Sequence, residues 1–288
     1  MNRGWVSAAV AAAAAVLTLA SPRAAWQQAT FSAGVEAVRV DALVLDGKRA
    51  VPGLGPSDFQ IRDNGVPQTV DIVLLEQVPL YVVLVLDASE SVIGERLEQL
   101  RAAGLAAVGG LADRDQAAML TFNQSVSLVS GRATELRTLR VALQQIRPGG
   151  GTALYDAMHA GVVVGNSNDA RTLVLVFTDG ADTSSFLTKE AVLDTARRSD
   201  AVIYVALEGT RAPFLEQLTG ETGGSLSMVS STKDLPGLFA RILDEFRHRY
   251  LLGYTPTRVT KGGWHRIEVS VKGRSYTVKA RSGYQVGR

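Results

Sequence analysis

The chain has 288 residues, with 30 Lys and Arg against 28 Asp and Glu, a net charge of +2 at pH 7. That length holds one sizeable α/β domain with a small companion, and the near balance of charge gives no sign of a nucleic-acid partner. There is no cysteine, which excludes disulfides, zinc–thiolate sites and thiol nucleophiles.

Residues 1–25 read as a secretory signal peptide: Met1 to Arg3 give a positive start, Trp5 to Ala20 an Ala/Val/Leu-rich core, and small residues surround Ala20 to Ala25. The apolar core is shorter than the ~20 residues of a spanning helix. Export is therefore expected, to periplasm, cell surface or medium, with no transmembrane helix left after cleavage. Residues 30–77 follow as the first part of a β module. Val38, Val40, Ala42 and Val44 alternate with Arg39, Asp41 and Leu43, Asp46-Gly47 turns, and Phe59 and Ile61 lead into a second turn at Asp63-Asn64-Gly65 before Val70, Ile72 and Leu74.

Residues 78–248 change pattern. Strands are expected at Tyr81 to Leu86, Gln116 to Phe122, Ser125 to Val129, Thr172 to Thr178, Ala201 to Leu207 and, weakly, Leu226 to Val229. Helices are expected at Ser91 to Val108, Glu135 to Ile146, Tyr155 to Val164, Lys189 to Ser199, Pro213 to Thr219 and Leu235 to Arg249. Such alternation predicts a doubly wound, mostly parallel Rossmann-like sheet, with an antiparallel edge hairpin through Asn123-Gln124. In residues 249–288 period two returns, in Ile267, Val269 and Val271 and then Tyr276, Val278 and Ala280. Neither β flank has enough strands for a sheet of its own. The two are expected to join into a small β-sandwich-like module, with the α/β domain inserted between them.

The chemistry gathers at strand ends. Tyr81-Val82-Val83-Leu84-Val85-Leu86 is an unbroken apolar run, the mark of a strand buried on both faces, and it stops at Asp87-Ala88-Ser89-Glu90-Ser91. Thr172 to Thr178 repeats the form and stops at Asp179, while Thr152 follows Gly149-Gly150-Gly151. In an open α/β sheet, ligands sit beyond the carboxyl ends of strands where the strand order reverses. Two carboxylates and three hydroxyls, without imidazole or thiol, suit a hard divalent cation: Mg²⁺, Ca²⁺ or Mn²⁺. The competing roles are helix capping for Ser89, Ser91 and Thr152, and stabilisation of a helix dipole for Asp156. Glu90 and Asp182 are expected to face solvent. His159, His248 and His265 are expected in surface or junction packing, and the cations from Arg247 to Arg281 on solvated strand faces, with a polyanion contact as the alternative.

Asp87-x-Ser89-x-Ser91, Thr152 in Gly-Gly-Thr and Asp179 in Thr-Asp-Gly resemble the complete metal-ion-dependent adhesion site of von Willebrand factor type A domains. The resemblance covers roughly Pro79 to His248. It implies hydroxyl coordination by Ser89, Ser91 and Thr152, coordination by Asp87 and Asp179 directly or through water, Mg²⁺ as the first choice of ion, and a protein partner whose Asp or Glu takes the open position. Ser57 to Gln68 and Val278 to Tyr284 are similar to exported bacterial "VWFA-related" proteins. The function implied is a binding or adhesion module without turnover. The alternatives are a metal-dependent hydrolase, for which neither a Gly-x-Ser-x-Gly elbow nor a neighbouring His is present, and a structural docking component of an envelope assembly.

Overall fold

The computed structural model describes residues 37–74, 78–133, 135–167 and 169–287; the leader read at 1–25 and residues 30–36 and 75–77 of the first β segment lie outside them. The chain opens with short strands β1 (Val38–Asp46), β2 (Arg49–Ala50), β3 (Phe59–Asp63), β4 (Val66–Gln68) and β5 (Ile72–Leu74). Asn64 and Gly65, at φ 48° and 81°, make the turn between β3 and β4, where Asp63 faces Val66. Both positions need the left-handed region, which Asn tolerates and Gly adopts freely.

The α/β part runs β6 (Leu80–Asp87), α1 (Glu95–Gly109), β7 (Gln116–Phe122), β8 (Val126–Ala133), α2 (Leu136–Gln144), α3 (Leu154–Val164), β9 (Arg171–Thr178), α4 (Lys189–Arg197), β10 (Val202–Glu208), α5 (Pro213–Thr222), β11 (Ser225–Val229) and α6 (Leu235–Arg247). Its six-stranded sheet has the order β11-β10-β9-β6-β7-β8. All pairs are parallel except β7 with β8. Every residue of β6 and of β9 is buried, as continuous apolar runs require of central strands. Leu80, Val82, Leu84 and Leu86 enter one core with α1, α2 and α6. Tyr81, Val83 and Val85 enter the opposite core with α3, α4 and α5. The chain winds outward from β6 through β7, then returns to β9 on the other side of β6. The strand order therefore reverses between β6 and β9, and their carboxyl ends are where Asp87 and Asp179 lie.

The chain closes with β12 (Tyr250–Tyr254), β13 (Gly263–Val271), β14 (Thr277–Lys279) and β15 (Gly283–Val286). One sheet has the order β14-β1-β12-β5, with β2 also on β1; the other has β15-β13-β3-β4. Each mixes strands from both flanks: β1 pairs antiparallel with β12 and β14, and β13 with β3. Val40, Val44, Phe59, Ile61, Leu252 and Ile267 fill the space between. The α/β domain is thus inserted in a β-sandwich built from both flanks. Among the described residues no helix is long and apolar enough to cross a membrane.

Three expectations need correction. The first long helix begins at Glu95, not Ser91: a 3-10 turn over Glu90–Val92 intervenes, and Gly94 at φ 80° redirects the chain. Strand β1 does not alternate between buried and exposed, because Asp41 and Leu43 are buried as well. The outer face of its sheet lies against the α/β domain, where the Arg171 Nε donates to Asp41 at 2.9 Å. Arg249 and Arg281, expected on solvated faces, are buried at this same junction. The Arg249 guanidinium donates to Tyr204 Oη at 3.0 Å and to the carbonyls of Asp41 and Gly223 at 2.9 Å, and Arg281 donates to Asp200 at 2.7 Å. Guanidinium groups survive burial there because most of their donors are matched, the Arg249 Nε being the exception.

Candidate metal centre

Asp87 ends β6 fully buried. Its Oδ1 accepts the Ser89 N–H at 2.9 Å and its Oδ2 the Thr178 hydroxyl at 2.9 Å, so the ends of the two central strands are joined through this carboxylate. From buried Ser89 the 3-10 turn carries the chain outward to exposed Ser91. The two hydroxyls lie 3.1 Å apart, and Ser91 Oγ donates to Asp179 Oδ2 at 2.8 Å. Asp179 Oδ1 accepts the Ala181 N–H at 3.1 Å. Asp87, Ser89, Ser91 and Asp179 therefore form one connected set, running from the sheet end to solvent.

Thr152 reaches this set through its backbone. The glycine loop is stitched to the first loop by Gly149 N–H to Ala88 O at 2.9 Å and Glu90 N–H to Gly150 O at 3.1 Å. The Thr152 N–H donates to Thr183 Oγ1 at 2.9 Å, and its carbonyl accepts from Thr183 and Ser184 N–H at 2.8 and 3.1 Å. A Cβ on Gly151 would stand 2.3 Å from Ser184 Oγ, and Gly150 sits at φ 80°, so a side chain would be crowded at the first position and strained at the second. The side chain of Thr152 is buried beside the joined loops.

The helix-capping alternatives do not hold. The N-cap of α1 is Gly94, and Ser89 makes no side-chain cap bond to the 3-10 turn. Ala153, not Thr152, occupies the cap of α3. The free N–H groups of α3 are served by residues that sequence reasoning did not select. Asp182, expected to face solvent, accepts from Leu154 and Tyr155 N–H at 2.9 and 3.3 Å, and Ser185 Oγ accepts from Tyr155 N–H at 2.9 Å. Asp156 lies in the first turn of α3, as expected, and also ties down another loop, taking the N–H groups of Phe186 and Leu187 at 3.0 and 2.8 Å. The only advance signal was an acid three residues beyond Asp179, which reads as a cap only once the loop is known to fold over α3. Asp182→Ala is expected to cost about 1–2 kcal/mol in urea denaturation, with Asp182→Asn restoring most of it, as N-cap substitutions do.

Burial pushes the Asp87 carboxyl above the ordinary carboxylate range, outweighing the hydrogen bonds from Ser89 and Thr178, and the negative Asp179 adds to the shift. Among the described residues neither Asp87 nor Asp179 forms an ion pair with Lys, Arg or His. Two neighbouring carboxylates without a counter-charge, beside hydroxyls not engaged at helix ends, fit a small hard cation. The fit depends on the hydroxyls, since no group of three or more His, Cys, Asp or Glu that could hold a metal occurs among the described residues. The histidines are placed elsewhere: His159 Nδ1 meets Thr195 Oγ1 at 3.0 Å, His248 follows α6, and His265 is buried in the sandwich on Asp63. The last corrects the surface or junction role expected of it.

Residues 82–181, which include all five candidate ligands, match the family model described as von Willebrand factor type A domain. Among solved structures, the chain is similar to "von Willebrand factor type A from Catenulispora acidiphila" at a TM-score of 0.55 and 12% identity, over 85% of this chain and 75% of that one. It is also similar to proximal thread matrix protein 1 from the mussel byssus, at a TM-score of 0.52 and 16% identity, over 62% of this chain and 49% of that one. At such identities the likeness is one of fold.

Proposed function

We propose, from the premise that this chain carries a von Willebrand factor type A domain, that it is an exported binding protein working through a divalent cation. Ser89, Ser91 and Thr152 would hold the ion by hydroxyls, and Asp87 and Asp179 by carboxylates directly or through water; Mg²⁺ is the first choice, and Ca²⁺ and Mn²⁺ suit the same oxygens. When bound, the ion supplies an electrophilic centre that the neutral hydroxyls leave incompletely neutralised. An Asp or Glu of a protein partner completes its shell, without turnover. The β-sandwich gives this site a rigid base for display at the envelope or beyond it.

The observation that carries the reading is the Ser91 hydroxyl, placed 2.8 Å from Asp179 and 3.1 Å from Ser89 Oγ on a turn that needs neither serine as a cap. Titration calorimetry with MgCl₂ tests it. Ser91→Ala is expected to weaken binding by at least the roughly tenfold typical of lost support around a metal. Equal affinity in the variant and the natural chain would overturn the assignment.

A further inference from the structure

Two apolar side chains stand out from the rim of the candidate site: Phe186 is 94% exposed and Ile93 58%. Both sit on fixed backbone. The N–H groups of Phe186 and Leu187 are held by Asp156, and the preceding Ser185 hydroxyl is held at the start of α3. Ile93 follows buried Val92, whose N–H donates to Ser89 O at 3.1 Å. A large apolar group kept in water on a fixed loop gains free energy only when something covers it, and rigid aromatic rings are frequent anchors of binding energy.

The hydrogen bonds order this surface. Ile93 lies two residues beyond Ser91, which is bonded to Asp179; Phe186 lies two residues beyond Ser184, which is bonded to Thr152. Each apolar group therefore stands on a loop that carries or holds candidate ligands, Ile93 on that of Ser91 and Phe186 on that bonded to Thr152. Charge narrows the occupant further. Glu90 is exposed between the two serines, while the nearby Arg96 is engaged by Ser91 O at 2.9 Å and Glu208 at 3.3 Å. A run of acids would meet the repulsion of Glu90, with the Arg96 guanidinium already occupied. A lone carboxylate with apolar neighbours meets less of that repulsion.

We infer that the partner presents a protein segment whose single Asp or Glu lies between two large apolar residues, one packing on Phe186 and the other on Ile93. The inference rests on the cation-capture reading above. Fluorescence anisotropy in MgCl₂, with the full chain, compares four labelled probes: a Gly-Leu-Gly-Glu-Gly-Leu-Gly peptide, its counterpart with Ala for Leu, an oligoglutamate, and an oligouronate standing for an acidic polysaccharide. The Leu peptide is expected to bind at least about tenfold more tightly than the Ala peptide, the scale of burying one Leu side chain. The double variant Phe186→Ala, Ile93→Ala is expected to close that gap while Mg²⁺ affinity in calorimetry is unchanged. Equal or tighter binding of the Ala peptide, the oligoglutamate or the oligouronate would overturn the inference, as would a gap that persists in the double variant. Absence of Mg²⁺ binding by the natural chain in the same calorimetry would be a different failure, that of cation capture itself.

Discussion

Asp87→Asn is expected to remove the rise in thermal midpoint that Mg²⁺ gives the natural chain, while leaving the chelated protein at least as stable. The two halves have different causes. A ligand that binds only the folded state adds about 2.7 kcal/mol at a hundred times its Kd, and a chain lacking the buried carboxylate at the centre of the ligand set has no such gain. In chelator the balance reverses. Asp87 is fully buried without an ion pair among the described residues, and burial together with Asp179 disfavours its charge. The amide removes that charge and keeps an acceptor for Ser89 N–H, while the Thr178 hydroxyl, now bonded to Asp87 Oδ2 at 2.9 Å, can turn to accept. A purely structural Asp87 would instead lose stability in chelator on substitution, so differential scanning fluorimetry with and without Mg²⁺ separates the two accounts.

Asp63→Ala carries the other large effect, and it falls on the sandwich. Asp63 is fully buried. Its Oδ1 lies 2.8 Å from His265 Nδ1, and its Oδ2 accepts from the hydroxyls of Tyr254 and Tyr284 at 2.9 and 2.8 Å. Burial raises both phenols well above their usual range, with the carboxylate adding to the shift, so they stay neutral and donate. Tyr254 is on β12 of one sheet; Asp63, His265 and Tyr284 are on β3, β13 and β15 of the other. One carboxylate thereby ties together two sheets and both chain flanks. Its removal leaves three buried partners without their acceptor, and about 3–5 kcal/mol of stability is expected to go, at roughly 1–3 kcal/mol for each buried group left unsatisfied. Asp63→Asn, which keeps one acceptor, is expected to cost less. Urea denaturation followed by circular dichroism checks the order, and a loss below about 1 kcal/mol in the alanine variant would contradict the role, being smaller than the cost of one unsatisfied buried group.

The centre of the fold was legible because its signals are local. An apolar run ending in Asp87, and another ending in Asp179, are buried central strands in any register, and a two-residue spacing puts Ser89 and Ser91 on one short turn. What escaped depends on distant parts of the chain. His265 and Asp63 are 202 residues apart, and period two alone made His265 a strand residue with no partner. Arg249 and Arg281 read as solvated cations because nothing local shows that the outer face of the β1–β12 sheet is covered by the α/β domain. Asp182 read as a solvent residue, and the loop bonds of Asp156 went unseen, because those bonds cross between the loop after β9 and the start of α3. The glycine loop was readable for its freedom, but not for the tight approach of Ser184 that requires it.

The most direct measurement is an anomalous difference map from crystals soaked in MnCl₂. Cation capture at this rim predicts a peak within coordination distance, about 2.0–2.6 Å, of the Ser89, Ser91 and Thr152 hydroxyls, and no such peak in Asp87→Asn crystals soaked alike. A map flat at this position, or Mn²⁺ bound only elsewhere on the molecule, would contradict it.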